Sequence, residues 1–237
     1  MGGDMSRTRT AYWKGLWAGM PFLVMAVPFG VLFGVVATDA GFDILQAFAM
    51  SVIVVAGASQ FSALQVLSDG APFYIAVLTG LAVNMRMAMY SASLAPHLGK
   101  AAMWHRVVLS YFMIDQTYGV SILEFDRKPE ASVSEKLAYF FGTATLIFPV
   151  WYGSTLLGVV AGAAIPPEYA LDFAVPIMFI ALVAPSLRSL PHLVAAVVSV
   201  IVSLALVWMP YNLWLMVAAV AAMIAGAEVE RRMGAKT

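Results

Sequence analysis

Cysteine is absent from the 237 residues. That excludes a disulfide framework and any thiolate metal site. Charge is scarce as well: Asp, Glu, Lys and Arg make up 11% of the chain, and the formal net charge is zero. A soluble domain carries about 25% charged residues, and a neutral balance implies no polyanionic partner, so no nucleic acid is expected. No Gly-rich phosphate loop of the Walker type occurs. The largest polar interruption is about a dozen residues, Glu124–Lys136, too small for a nucleotide-binding domain. ATP-driven pumping by this chain alone is therefore not expected. The three histidines, His97, His105 and His192, are scattered and make no metal set. The first two fall at a loop and read as solvated. No Ser–His–Asp spacing and no paired catalytic carboxylates stand out, so the chain is read as neither an enzyme nor a cofactor binder.

What is abundant is apolar surface. Hydrophobic residues are 62% of the chain, with mean hydropathy +0.88. This composition belongs to the membrane class. The basic start MGGDMSRTRTAYWKG leads into an apolar run from Leu16 to Ala37. That run is longer than the roughly 7–15 residues of a signal-peptide core and reads as a retained first span.

A spanning helix needs about 20 apolar residues. Breaks at Thr38–Asp43, Ser68–Pro72, Pro96–Lys100, Glu124–Lys136, Gly162–Glu168, Arg188–His192 and Met209–Asn212 leave eight candidate spans. They cover 14–38, 43–67, 72–96, 103–123, 134–161, 168–187, 191–208 and 211–227. The fourth carries His105, Arg106 and Asp115 and is the least secure, so seven spans are the alternative. Lys and Arg in short loops favour the cytoplasm. With the N-terminus inside, Arg7, Arg9, Lys14, Arg127, Lys128, Lys136, Arg188, Arg231, Arg232 and Lys236 all fall inside, and only Lys100 and Arg106 fall outside. Eight spans with both termini cytoplasmic fit this asymmetry best.

The expected fold is an all-α polytopic membrane protein, a single transmembrane transporter domain over 1–237. Two halves, 14–123 and 134–227, show a similar layout. Span one is interrupted by Pro21, Pro28 and Gly30, and span two carries the small polar insert Gly57-Ala58-Ser59-Gln60. Span five has Pro149 and Gly153, and span six has Pro176, Pro185 and Ser186. Gly/Pro-interrupted spans in corresponding halves point to a transporter binding site, where half-helix termini face a cavity. The alternative is packing, for which Gly is common in membrane helices.

Two full charges lie deep within the spans. Arg86 is 10 residues before Pro96, about 15 Å along a helix axis. Asp115, 9 residues before Glu124, lies at a similar depth. A lone charge there costs at least about 2.5–3.5 kcal/mol, so each is expected to offset the other's desolvation. Asn84 precedes Arg86, Tyr90 and Ser93 follow it at helical spacing, and Gln116, Thr117 and Tyr118 follow Asp115. The candidate substrate-binding residues are thus Arg86, Asn84, Ser59, Gln60, Asp115, Gln116 and Tyr118. Arg86, or N–H groups near Ser59 and Gln60, would hold a carboxylate. Asp115 would hold an amino group or carry a proton. Met85, Met87, Met89 and Met113 would suit an aliphatic side chain. The competing reading is a purely structural Arg86–Asp115 pair in a non-transporting scaffold or sensor.

The blocks PFGVLFG, GASQF, NMRMAMYSASLAPHL and DQTYG, in this order, resemble the AzlC family, the large subunits of branched-chain amino acid exporters. The resemblance runs from about Gly15 to the last span. It implies an inner-membrane secondary transporter that moves branched-chain amino acids outward, coupled to the proton gradient. It also implies a small multispanning partner of the AzlD type. One methylene is worth only about 1–3 kcal/mol in an apolar pocket, so valine, leucine, isoleucine and methionine are not separated.

Overall fold

The computed structural model describes residues 2–164, 180, 187–210 and 213–234. The chain begins with α1 (Gly2–Gly19), a 3₁₀ turn at Met20–Phe22, and α2 (Leu23–Asp39). Then come α3 (Ile44–Val54), α4 (Gly57–Ser68), α5 (Phe73–Leu98), α6 (Met103–Tyr111), α7 (Asp115–Arg127) and α8 (Val133–Gly162). The last two described helices are α9 (Leu190–Ala205) and α10 (Leu213–Gly234). The expected sixth span, with Pro176, Pro185 and Ser186, lies almost wholly outside the described residues, as does part of the Met209–Asn212 break.

Among the described residues, four stretches are long and apolar enough to cross a bilayer: Met5–Asp39, Phe73–Leu98, Val133–Gly162 and Leu213–Gly234. Ile44–Val54 and Leu190–Ala205 are shorter apolar helices. The protein is an all-α polytopic membrane protein. Local chemistry sets several boundaries. Asp43 caps α3, its carboxylate accepting from the Gln46 amide at 2.7 Å while Gln46 Oε1 accepts from the Asp43 amide at 3.0 Å. This reciprocal box satisfies two of the orphan donors of a helix start. The Ser132 hydroxyl likewise accepts from the Glu135 amide at the start of α8.

The described residues divide into two compact units, Met1–Gln60 with Val83–Pro166, and Phe61–Ala82 with Pro167–Thr237. In the second, α9 and α10 pack together. In the first, α8 is the central element, contacted by α1, α2, α3 and α7. Its Phe140, Thr143, Ile147, Phe148 and Thr155 are all buried.

The α2–α8 contact corrects the reading of span one and span five. α2 runs unbroken through Pro28 and Gly30, and α8 runs unbroken through Pro149 and Gly153. The glycines between these helices permit close approach. A Cβ on Gly158 would lie 2.0 Å from the Val31 carbonyl oxygen, and one on Gly30 would lie 2.2 Å from Ser154 Oγ. Gly153 has open space around it. Tight backbone contact, the alternative named above, is what these small residues provide. Proline inside a membrane helix is tolerated where local adjustment satisfies the freed carbonyl.

Span one is instead interrupted at the 3₁₀ turn Met20–Phe22, which holds Pro21, and two further interruptions lie in spans two and four. The second span is broken at Val55 and Ala56, just before Gly57, so the small polar insert forms the first turn of α4. Val55 closes α3 in the left-handed region, with φ 41°. A β-branched residue there is strained, and such strain persists where the surroundings over-determine it. The fourth span is broken too, at residues 112–114, although Phe-Met-Ile contains no glycine or proline. Thr117, fully buried, locks this break. Its hydroxyl accepts from the Ile114 amide at 2.9 Å and faces the Phe112 and Ile114 carbonyls at 2.9 and 3.0 Å.

Candidate functional site

Asp115 is the first residue of α7. The opening turn of a helix is electropositive, which favours a carboxylate there. From α5, Arg86 Nη1 reaches Asp115 Oδ2 at 2.9 Å. One turn further along α5, the Tyr90 hydroxyl donates to Asp115 Oδ1 at 2.8 Å. The two carboxylate oxygens therefore have separate partners. Tyr90 also stacks on Tyr118, with centroids 4.1 Å apart and planes 9° off parallel. The Tyr118 hydroxyl donates to Ser93 Oγ at 3.0 Å. The expected Arg86–Asp115 pair is thus formed, with two tyrosines fixing α5 against α7.

The pair is not fully enclosed. The side chains of Arg86 and Asp115 are 31% and 41% exposed. Arg86 Nε and Asn84 Oδ1 are buried without a hydrogen-bond partner. Each such unmet polar atom is costly unless something satisfies it. Gln116, half-buried, sits in the same first turn of α7 as Asp115. Of the methionines expected to shape an aliphatic pocket, Met85 and Met89 are exposed, at 68% and 71%, and Met113 belongs to the buried core.

Ser59 and Gln60, fully buried, lie in the first turn of α4. Gln60 Nε2 donates to Ser51 Oγ at 3.0 Å, and Ser51 Oγ is 3.0 Å from Thr155 Oγ1 on α8. Gln60 Oε1 has no partner. Gly57 faces the Trp151 indole, where a Cβ would sit 3.0 Å from the ring. Trp151 Nε1 is itself buried and unpartnered. The α3–α4 break therefore carries two unmet polar atoms, a carbonyl oxygen and an indole N–H.

The sequence reading missed what ties these breaks together. Tyr111, the last residue of α6, donates its hydroxyl to the Val52 carbonyl at 2.7 Å, and lies 2.8 Å from the Tyr152 hydroxyl. Val52 is in the last turn of α3, whose carbonyls have no helical partner. Tyr111 thus joins the end of α6 to the end of α3 at their interruptions. Its only signal in the sequence is its place four residues before Asp115. His97, read as solvated, instead lies 3.5 Å from Asp126 and against the Phe125 ring. Among the described residues no cluster could hold a metal ion.

The family profile described as AzlC protein matches residues 21–165. That stretch includes both helix breaks and every residue of the two polar clusters. A membrane protein of Archaeoglobus fulgidus is 29% identical over 196 residues, 81% of this chain and 83% of its own length. The inner membrane protein YgaZ of Escherichia coli is 26% identical over 188 residues, 75% of this chain and 74% of its own. No solved structure matches.

Proposed function

This chain belongs to the AzlC family, and from that premise we propose that it is a secondary-active exporter of branched-chain amino acids in the cytoplasmic membrane. It works with a small membrane partner and is driven by the proton gradient. The observation that carries this reading is the Arg86–Asp115 pair at the start of an interrupted helix. Discontinuous helices at a polar site are the recurring architecture of secondary transporters.

The chemistry follows from the pair. A substrate carboxylate has the same charge and shape as the Asp115 side chain. It competes for Arg86, whose planar guanidinium suits a two-point contact. Arg86 Nε is the spare donor. Asp115, once released, takes the substrate ammonium or a proton. Tyr90 follows the carboxylate and holds it near α5. The relative named an inner membrane protein supports the location, and the quoted motif blocks support the substrate class and the partner.

The test is efflux of radiolabelled leucine from proteoliposomes containing this chain, with and without a co-expressed small partner, across an imposed pH gradient. Gradient-dependent efflux that needs the partner is expected. No efflux under any gradient, with the complex intact, points instead to a scaffold or sensor with a structural ion pair.

A further inference from the structure

The first helical stretch is longer than a bilayer is thick. Met5–Asp39 has 35 residues, about 52 Å at 1.5 Å per residue, against about 30 Å of hydrocarbon. The polar residues Ser6, Arg7, Arg9, Thr10 and Lys14 crowd one end of it. There α1 meets the end of α7 and the start of α8 around a cavity of about 350 Å³.

Four cations, Arg7, Lys14, Lys128 and Lys136, and three acids, Glu124, Glu130 and Glu135, line that cavity. Lys136 is 6% exposed. Its Nζ donates to the Pro129 carbonyl at 3.0 Å and lies 5.9 Å from the centre of the Phe125 ring. It takes part in none of the ion pairs among the described residues. An ammonium has three donors, and a buried one without a counter-ion is costly. The nearby acids are engaged or exposed. Glu124 binds Lys128, Glu135 accepts from Ser132, and Glu130 is exposed.

A second, open cavity of about 590 Å³ shares Ser6, Thr10 and Lys14 with the first and continues along α1 to Trp13 and Trp17. These two indoles, one helical turn apart, are 50% and 64% exposed. Exposed tryptophans at the end of a span mark the membrane–water interface. A pocket with one more cation than acid, whose buried Lys136 lacks an ion pair and which opens onto an aromatic wall at this depth, suits an amphiphile with an anionic head and an apolar tail.

We propose that the groove formed by α1, α7 and α8 binds an anionic phospholipid, its headgroup phosphate held by Lys14 and Lys136 and its acyl chain laid along Trp13 and Trp17. The site shares no residue with the Arg86–Asp115 cluster. Free phosphate would satisfy the cations, whereas only a lipid also uses the indoles.

The two sources separate by native mass spectrometry of the full chain, titrated with phosphatidylglycerol, phosphatidylcholine or inorganic phosphate. One phosphatidylglycerol should be retained, with phosphatidylcholine bound at least about fivefold more weakly. Lys14→Glu and Lys136→Gln should each lower phosphatidylglycerol retention by about fivefold or more, and Trp17→Ala should lower retention of both lipids. Lys14 and Trp17 are exposed, so their variants carry the test even where Lys136→Gln does not fold. Equal retention of the two lipids, or wild-type retention by Lys14→Glu and Trp17→Ala, overturns the proposal. Displacement of phosphatidylglycerol by inorganic phosphate, with Trp17→Ala unchanged, also overturns it and assigns the pocket to a soluble phosphate.

Discussion

Arg86 and Asp115 meet at 2.9 Å, yet neither is sealed from a ligand. The proposed binding role for this pair makes a residue-level prediction. Arg86→Gln leaves the substrate carboxylate without its cation and should lower substrate affinity by about 10- to 100-fold, the range of one charged hydrogen bond. Equilibrium binding of labelled leucine to the purified chain measures it. Tyr90→Phe removes only the hydrogen bond to Asp115 Oδ1. About 0.5–1.5 kcal/mol is at stake, so transport should fall severalfold while the protein remains folded, as seen in initial efflux rates beside a melting curve. The pairing was legible in the sequence because charges are so rare in the spans that two at matching depth select each other. The tyrosine stack and the Tyr111 link were not. Aromatic residues occur throughout the spans, and nothing in the order of residues says which hydroxyl meets which carbonyl.

At the scale of elements, the contrast between two glycines on α8 decides between a broken helix and a packed one. Gly158→Ala drives a methyl against the Val31 carbonyl and should destabilise the protein by about 1–3 kcal/mol, the usual cost of overpacking. Gly153→Ala meets nothing within 4 Å and should change stability by no more than about 0.5 kcal/mol. Thermal unfolding of the two variants in one detergent reads the difference. Thr117→Val leaves the Ile114 amide unmet at the α6–α7 break and should cost about 1–3 kcal/mol. It should also depress transport, because it loosens the turn that aims Asp115. The sequence pointed to the α3–α4 break within two residues, since a small polar insert in an apolar run is conspicuous. It misplaced others at Pro28 and Pro149, because glycine and proline mark close packing as readily as interruption. It was silent on residues 112–114, where a buried threonine side chain rather than a special backbone residue ends the helix.

For the whole molecule, the membrane class followed from composition alone, since 62% hydrophobic residues and 11% charge admit little else. Four of the scattered cations, Arg7, Lys14, Lys128 and Lys136, line one cavity. The division into compact units was not legible. It cuts through α4 and α5 and not at the loop after α7, because contacts between distant segments leave no trace in local pattern. The central claim is that a substrate carboxylate replaces Asp115 at Arg86. Competition binding tests it most directly, with labelled leucine on the purified chain and its small partner, challenged by unlabelled leucine or by leucinamide, which lacks the carboxylate. Leucine should displace the label and leucinamide should not, and Arg86→Gln should weaken specific binding by about 10- to 100-fold. Full displacement by leucinamide, or wild-type binding by Arg86→Gln, would contradict the account.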